Sequence, residues 1–366
     1  MYLLLSRAAM RQKLPIYRHR VFSTSDLFKP RHMTTNRQLA IWLFAVSALI
    51  VVLVVYGGWV RLTRSGLSIV EWNVVTGVVP PLSAAAWESE FAKYRQTPEY
   101  QLVNYGMELD EFKFIYYMEF GHRLLGRLAG LLFVVPLIYF LCRRAIPRSH
   151  IPTYLGIGLL FALQGLVGWL MVKSGLDDRP QVSHLRLTLH LCCALALLAA
   201  CLWQALGYLS SAAAARPVPR AARRLCIWLF AAVCLQIAAG GLVAGLKAGH
   251  LSDTFPKMFG VWIPAGLWSM QPLLLNLLDN PTTVHFQHRF FAFAVLGLAL
   301  ALWIAVRRTA LQSEAGLILC LVAVQVGLGI GTVVAHVPLT LASLHQAVAV
   351  ALFAAALFLC HRAYRG

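Results

Sequence analysis

An all-α polytopic membrane protein is the fold class this sequence predicts, with eight transmembrane helices in two tandem four-helix bundles related by a pseudo-twofold axis. Three observations predict it. Of 366 residues, 59% are hydrophobic and only 13% charged, and the mean hydropathy is +0.69, which is too apolar for a water-soluble globule. Apolar segments lie near 39–60, 115–141, 152–172, 185–209, 225–246, 286–306, 314–335 and 342–360. Each has about the twenty residues that a helix needs to cross roughly 30 Å of hydrocarbon. Polar landmarks recur from the first four segments to the last four. An even number of spans per repeat gives both halves one orientation, so the axis runs along the membrane normal.

Residues 1–33 precede these segments. Arg7, Arg11, Lys13, Arg18 and Arg20 all come before the first acid, Asp26, and no secretory apolar core with a small-residue cleavage site follows. The stretch reads as a mitochondrial presequence, with Arg20-Val21-Phe22 before Ser23 similar to a matrix-peptidase site. A basic tail on a bacterial protein is the alternative.

The N-terminal bundle spans 34–209. Its first segment closes on Gly57-Gly58, and the connection 61–114 that follows is long. Within it Ser83 is placed to cap a short helix whose Trp87, Phe91 and Tyr94 share a face, and Thr97-Pro98-Glu99 marks a second helix start. A shelf lying over the mouth of the first bundle follows, either an interfacial anchor or a lid. Segment two opens with Glu119-Phe120-Gly121-His122-Arg123, segment three carries Gln164-Gly165-Leu166-Val167-Gly168, and His190 opens segment four. After a linker at 210–224, the bundle at 225–366 answers each of these in turn. Gly240-Gly241, Gln287-His288-Arg289, Gln325-Val326-Gly327-Leu328-Gly329 and His345 stand at the matching places.

The net charge of +18 would suggest nucleic acid in a soluble protein. Here the basic residues cluster in short connections, so the charge reports topology and no nucleic-acid partner is expected. Arg143, Arg144, Arg148, Arg216, Arg220, Arg223, Arg224, Arg307, Arg308, Arg362 and Arg365 fall in alternate connections and the tail. Those loops and both termini are expected in the matrix. The long connections 61–114 and 247–285 carry Glu88, Glu90, Glu99, Asp110, Asp253 and Asp279, and are expected in the intermembrane space of a multi-pass inner-membrane protein. None of the eight cysteines forms a C-x-x-C pair, so neither a zinc site nor a disulfide framework is indicated.

Ionisable side chains inside apolar helices are costly and mark functional sites. His122, His190, His288 and His345 each sit one to two turns inside the same-side end of an even-numbered segment, so all four share a leaflet. Neutral imidazole is the usual axial ligand of haem iron, and facing helices of a bundle supply two. The pairs are His122 with His190, and His288 with His345. Four residues on from each stand Gly126, Ala194, Ala292 and Ala349, small enough to let a porphyrin approach the helix. A lone intramembrane histidine is as often a helix-to-helix hydrogen bond; four at repeat-related positions are not. Arg123 and Arg289 follow their histidines and are placed either for haem propionates or for lipid phosphate and helix ends. Three residues before the second-segment histidine the halves differ, with Glu119 in the first and His285 in the second. A poorly solvated carboxylate beside a haem is suited to proton exchange or to stabilising positive charge, so the first bundle is the expected site of chemistry. His184 and His285 read as polar boundary residues.

Several stretches resemble the mitochondrial-type haem A synthase family. They are Gly57-Gly58-Trp59-Val60-Arg61-Leu62-Thr63-Arg64-Ser65-Gly66-Leu67-Ser68, Glu111-Phe112-Lys113-Phe114-Ile115, Glu119-Phe120-Gly121-His122-Arg123, Met171-Val172-Lys173-Ser174-Gly175-Leu176, Arg186-Leu187-Thr188-Leu189-His190-Leu191, Phe255-Pro256-Lys257-Met258 and Ala342-Ser343-Leu344-His345-Gln346. The resemblance implies an oxidoreductase that converts the C8 methyl of haem O to a formyl group, giving haem A for cytochrome c oxidase assembly. It implies that His122 and His190 bracket haem O or haem A, that His288 and His345 ligate the iron of haem b, and that Glu119 is the catalytic carboxylate. The implied partners are haem O synthase, a ferredoxin with its ferredoxin reductase as electron donor, and cytochrome c oxidase assembly factors; homo-oligomerisation stays open. The chain departs from the family in lacking the cysteine pair that bacterial members often carry in the first long loop, and in having Ser252-Asp253 where relatives tend to have Tyr-Asn. Two rival classes remain. A bis-histidine b-type transmembrane electron carrier wants haems near both membrane faces, and a repeat-built transporter wants a midplane site with broken helices.

Overall fold

The computed structural model describes residues 35–73, 76–177, 180–209 and 218–365; the expected presequence and much of the linker lie outside them. Helices follow the apolar segments closely. In chain order they are α1 (Thr35–Leu62), α2 (Ala84–Arg95), α3 (Pro98–Leu102), α4 (Leu109–Cys142), α5 (Ile151–Lys173), α6 (His184–Leu209), α7 (Arg220–Gly245), α8 (Pro281–Ala305), α9 (Gln312–Val334) and α10 (Leu339–Arg365). Eight of these are long and apolar enough to cross a membrane. The connections after α1, α5, α7 and α9 lie on one side, the long-loop face, and those bearing the arginine clusters lie on the other, the basic face.

α4 begins six residues before its apolar segment and runs for 34 residues, about 50 Å at the usual rise. Its extra turns project from the long-loop face, and Glu111 caps them by accepting the Glu108 N–H at 3.0 Å. α2 docks on this projection. Ser83 caps α2 through the Ala86 N–H at 3.2 Å, and the Trp87, Phe91 and Tyr94 face is buried. The Phe91 and Tyr94 rings stack on Phe112 at 4.9 and 5.1 Å. The shelf exists as expected, but its apolar face meets protein and not lipid. Thr97 caps α3 as the sequence predicts, accepting from Tyr100 N at 3.3 Å.

In the first half α1 and α5 each pack against both α4 and α6; in the second, α7 and α9 each pack against both α8 and α10. The halves meet through α1 with α10, α6 with α7, and α6 with α10. One apolar core threads all eight spans, and its buried members sit toward the basic face, among them Leu43, Phe133, Tyr154, Leu198, Leu229, Leu302, Ile318 and Phe353. The long-loop half is organised by polar contacts instead. The tandem glycines of α1 and α7 have divided tasks there. Gly58 admits Gln346 of α10, whose Nε2 donates to Val54 O at 2.7 Å. Gly241 admits Thr188 of α6, with its Oγ1 at 3.0 Å from where a Cβ would stand. Gly57 and Gly240 face inward, each into its own half.

Candidate functional site

All four intramembrane histidines are half-buried, and each ring rests on a glycine of the preceding span. A Cβ added at Gly57 of α1 would lie 3.0 Å from His122 Cε1 on α4, and one at Gly168 of α5 would lie 2.9 Å from His190 Cε1 on α6. In the second half the same distances are 3.1 Å from Gly240 of α7 to His288 on α8, and 3.0 Å from Gly329 of α9 to His345 on α10. Any side chain there would displace the ring. Gly126, four residues after His122, has nothing within 4 Å of its Cβ position, so open space lies on that side of the helix.

In the second half the two rings face each other. His288 and His345 are 6.5 Å apart between centroids with planes at 81°. Two metal–imidazole bonds of about 2 Å and two half-rings of about 1 Å add to roughly that spacing, so one iron fits between them. His122 lies within electrostatic range of His190. The Nδ1 of every one of the four is buried without a hydrogen-bond partner. Gln164 Nε2 stands 3.3 Å from His190 Nε2, and Gln325 Nε2 stands 3.4 Å from His345 Nε2. A carboxamide nitrogen only donates, so it takes the lone pair at Nε2, the one a metal would take. This explains why a glutamine stands one turn before Gly168 and again before Gly329. The donor set and the glycine cradles fit a bis-histidine haem in each half, and in the second half the ring spacing fits as well.

Glu119 and Arg123 form a buried pair that ties down the loop after α1. Glu119 is 3% exposed. Its Oε2 accepts from Ser68 N at 2.8 Å, Ser68 Oγ at 2.8 Å and Ile69 N at 2.9 Å, and its Oε1 accepts from Arg123 Nε at 3.1 Å and Nη2 at 2.6 Å. Arg123 also donates to Ile69 O and Glu71 O, each at 2.9 Å. Glu71, in turn, is held below the usual carboxylate range by hydrogen bonds from Lys93 and Asn73. The clamp recurs in the second half. Arg289 donates through Nε to His285 Nε2 at 2.9 Å, and through its other nitrogens to Thr254 O and Ser252 O, each at 2.8 Å.

Both arginines, read as placed either for haem propionates or for lipid phosphate and helix ends, donate to loop carbonyls. One correction follows: His285, expected at a polar boundary, is 1% exposed and is the counterpart of Glu119. Its position three residues before His288, matching Glu119 before His122, was the signal. His184, also expected at the edge, brings its Nε2 within 2.9 Å of Asp279 Oδ1 in the second half. A further residue that the sequence does not flag is Tyr56, whose ring lies 6.1 Å from that of His122 and whose hydroxyl reaches Met118 Sδ at 3.8 Å. Ala239 precedes Gly240 where Tyr56 precedes Gly57, so the asymmetry between halves is Tyr56 and Glu119 against Ala239 and His285. A recess of about 280 Å³ opens beside the first clamp, between the 69–81 loop, α2 and the Tyr116, Phe120, Arg123 and Arg127 face of α4.

Known proteins match the chain over most of its length. Residues 40–357 match the model of the family described as cytochrome oxidase assembly protein, COX15-CtaA. The chain is 47% identical over 336 residues to the haem A synthase of Nitrosospira multiformis, covering 90% of this chain and 94% of that protein. It is 43% identical to that of Nitrosomonas eutropha, covering 92% and 96%, and 46% identical to one from Methylorubrum extorquens, covering 85% and 82%.

Proposed function

The chain belongs to the COX15-CtaA family of cytochrome oxidase assembly proteins, and from that membership we propose how its two halves divide the work. It is a membrane-embedded oxidoreductase that converts haem O to haem A. The bundle at 34–209 takes the substrate haem between His122 and His190, and presents its C8 methyl for oxidation to the formyl group. The bundle at 225–366, related to the first by a pseudo-twofold axis, takes haem b between His288 and His345. The observation that carries this division is the fourfold repetition of an imidazole seated on a glycine, with one repeat-related pair differing in its chemistry: Glu119 against His285.

When bound, haem b supplies one-electron transfer. The protein's own residues supply position and charge. Gln164 and Gln325 stand against the Nε2 of two of the rings and favour the tautomer whose lone pair is at Nε2; an iron bound there would take that lone pair in the glutamine's place. Glu119, one helical turn before His122, is the catalytic carboxylate. Fixed by five hydrogen bonds, it is oriented to stabilise positive charge developing at the substrate methyl. To take a proton it must first give up one bond to Arg123 or Ser68. Arg123 and Arg289 position the loops after α1 and α7, and any propionate contact would be made from a guanidinium already anchored.

The wider setting follows from the same chemistry. Haem O synthase supplies the substrate, a ferredoxin with its reductase supplies electrons, and the product goes to cytochrome c oxidase assembly. The basic, acid-poor residues 1–33 support the mitochondrial inner membrane, with both termini in the matrix, although the relatives named above are bacterial. Import into isolated mitochondria with cleavage near Ser23 tests the compartment. The division of haems is tested by pigment extraction from single variants. His288→Ala and His345→Ala lose haem b and keep haem O or A, whereas His122→Ala and His190→Ala do the reverse. Loss of the same pigment from all four variants would overturn it.

A further inference from the structure

The loop between α7 and α8 contains no charged residue from Met258 to Leu278, and it is not helical enough to span anything. Its side chains are nonetheless turned outward. Trp262, Ile263, Trp268, Leu273, Leu274 and Leu277 are all exposed, Ile263 and Leu274 to 74% and 75%. The corresponding loop of the first half also exposes apolar side chains, Leu82, Leu102 and Tyr105 among them, but mixes them with charge. There the apolar face of α2 is buried against α4, and the surface carries Glu71, Glu88, Glu90 and Lys93.

A second, independent feature concerns the backbone. Irregular chain near hydrocarbon is tolerated only where its polar groups are satisfied internally. In this loop three buried side chains do that. Asn276 accepts from Met270 N at 3.0 Å and donates to Met270 O at 2.8 Å and Leu273 O at 3.0 Å. Asn280 donates to Gly266 O at 2.8 Å and to Asn276 Oδ1 at 2.9 Å, and Thr283 Oγ donates to Leu267 O. Met258 and Val261 bond each other through both main-chain groups at 2.9 and 3.1 Å.

We infer that residues 258–278 are seated in the boundary between headgroups and acyl chains of the leaflet on the long-loop face, so that their partner is the lipid surface. Both ends of the loop join membrane spans, so the chain enters and leaves it beside the bilayer boundary. Trp262 and Trp268 have the amphipathic rings that favour that boundary, and Lys257, with its Nζ 6.0 Å from the Trp262 ring, marks the polar side. A surface built for a protein partner carries a polar rim, and this stretch has no charge to form one.

The test uses the full chain with its haems in nanodiscs of phosphatidylethanolamine and phosphatidylglycerol. Nitroxides are placed at Ile263→Cys and Leu274→Cys, with Cys142 and Cys320 replaced by serine, and Tyr105→Cys on the first loop serves as the water-facing control. Collisions with oxygen should exceed collisions with a water-soluble nickel chelate at 263 and 274, and the order should invert at 105. Chelate access at 263 and 274 equal to that at 105 would overturn the inference. Access by neither reagent would also overturn it, since a second copy or another protein would then cover the loop. On the unsubstituted chain, a lipid-partitioning diazirine should label 258–278 and spare 84–102; equal labelling of the two would count against the proposal without any variant having to fold.

Discussion

At the scale of single residues, the clamp and the chemistry are separable because the chain contains both versions of the clamp. Glu119→Gln leaves the Arg123 charge buried without its counter-ion, which costs about 3–5 kcal/mol in comparable pairs. It should abolish haem A formation and also loosen the 68–71 loop. Glu119→His copies the second half, where His285 holds Arg289 at 2.9 Å. That variant should recover the loop, read as restored resistance to proteolysis near residue 70, without recovering haem A. If it makes haem A at the parental rate, a carboxylate is not required at 119. The glycine cradles give a sharper test of ligation. Gly168→Ala places a methyl 2.9 Å from His190 Cε1, an overpacking worth about 1–3 kcal/mol. The low-spin bis-histidine signal of the first haem should weaken or vanish, with the haem b signal unchanged. The four histidines were legible in the sequence because an imidazole in an apolar helix needs a partner. Their cradles were not, since a glycine opposite a ring is set by helix pairing and not by any local pattern.

Among the elements, the shelf of α2 and α3 shows where sequence periodicity suffices and where it stops. Ser83, Thr97 and the Trp87, Phe91 and Tyr94 face announce two capped helices. What that face touches depended on α4 reaching back to Leu109, and the polar residues of those first turns hid the extension from a hydropathy window. The shelf also carries a titratable lock. Glu99 is buried in α3, and its carboxyl is raised above the ordinary range by that burial, with Lys247 and Arg64 pulling it the other way. A carboxyl raised on folding contributes stability as the neutral acid. That contribution is complete below the unfolded value of about 4.3 and is lost as pH rises through the folded value. Amide exchange across 84–102, corrected for intrinsic rate, should therefore slow as pH falls from neutrality into the window just above the usual glutamate range. Glu99→Gln should flatten this dependence. An unchanged profile in the variant would assign the effect to another group.

For the whole molecule, the duplicated order of landmarks made the eight spans legible, but not how they interlock. Each tandem glycine pair splits its contacts between its own half and the other. Gly57 supports His122 and Gly240 supports His288, within a half; Gly58 admits Gln346, next to His345, and Gly241 admits Thr188, two residues from His190. Arg61 donates to Ala244 O and Gln181 donates to Gly245 O at 2.8 Å, so the same end of α7 is gripped from the first half. Substitutions one residue apart should then be felt by different haems. Gly57→Leu should perturb the haem between His122 and His190, and Gly58→Leu the one between His288 and His345. Gly240→Leu should perturb the second haem and Gly241→Leu the first. A crossed pattern of shifts in the low-spin signals of the two haems is the expected result. It requires that α1, α6, α7 and α10 behave as one packed block, since only a rigid seam carries a displacement at Gly241 through Thr188 into the ring of His190. Should all four variants disturb only the haem of their own half, the halves are mechanically independent, and the contacts of Gly58 and Gly241 merely fill space.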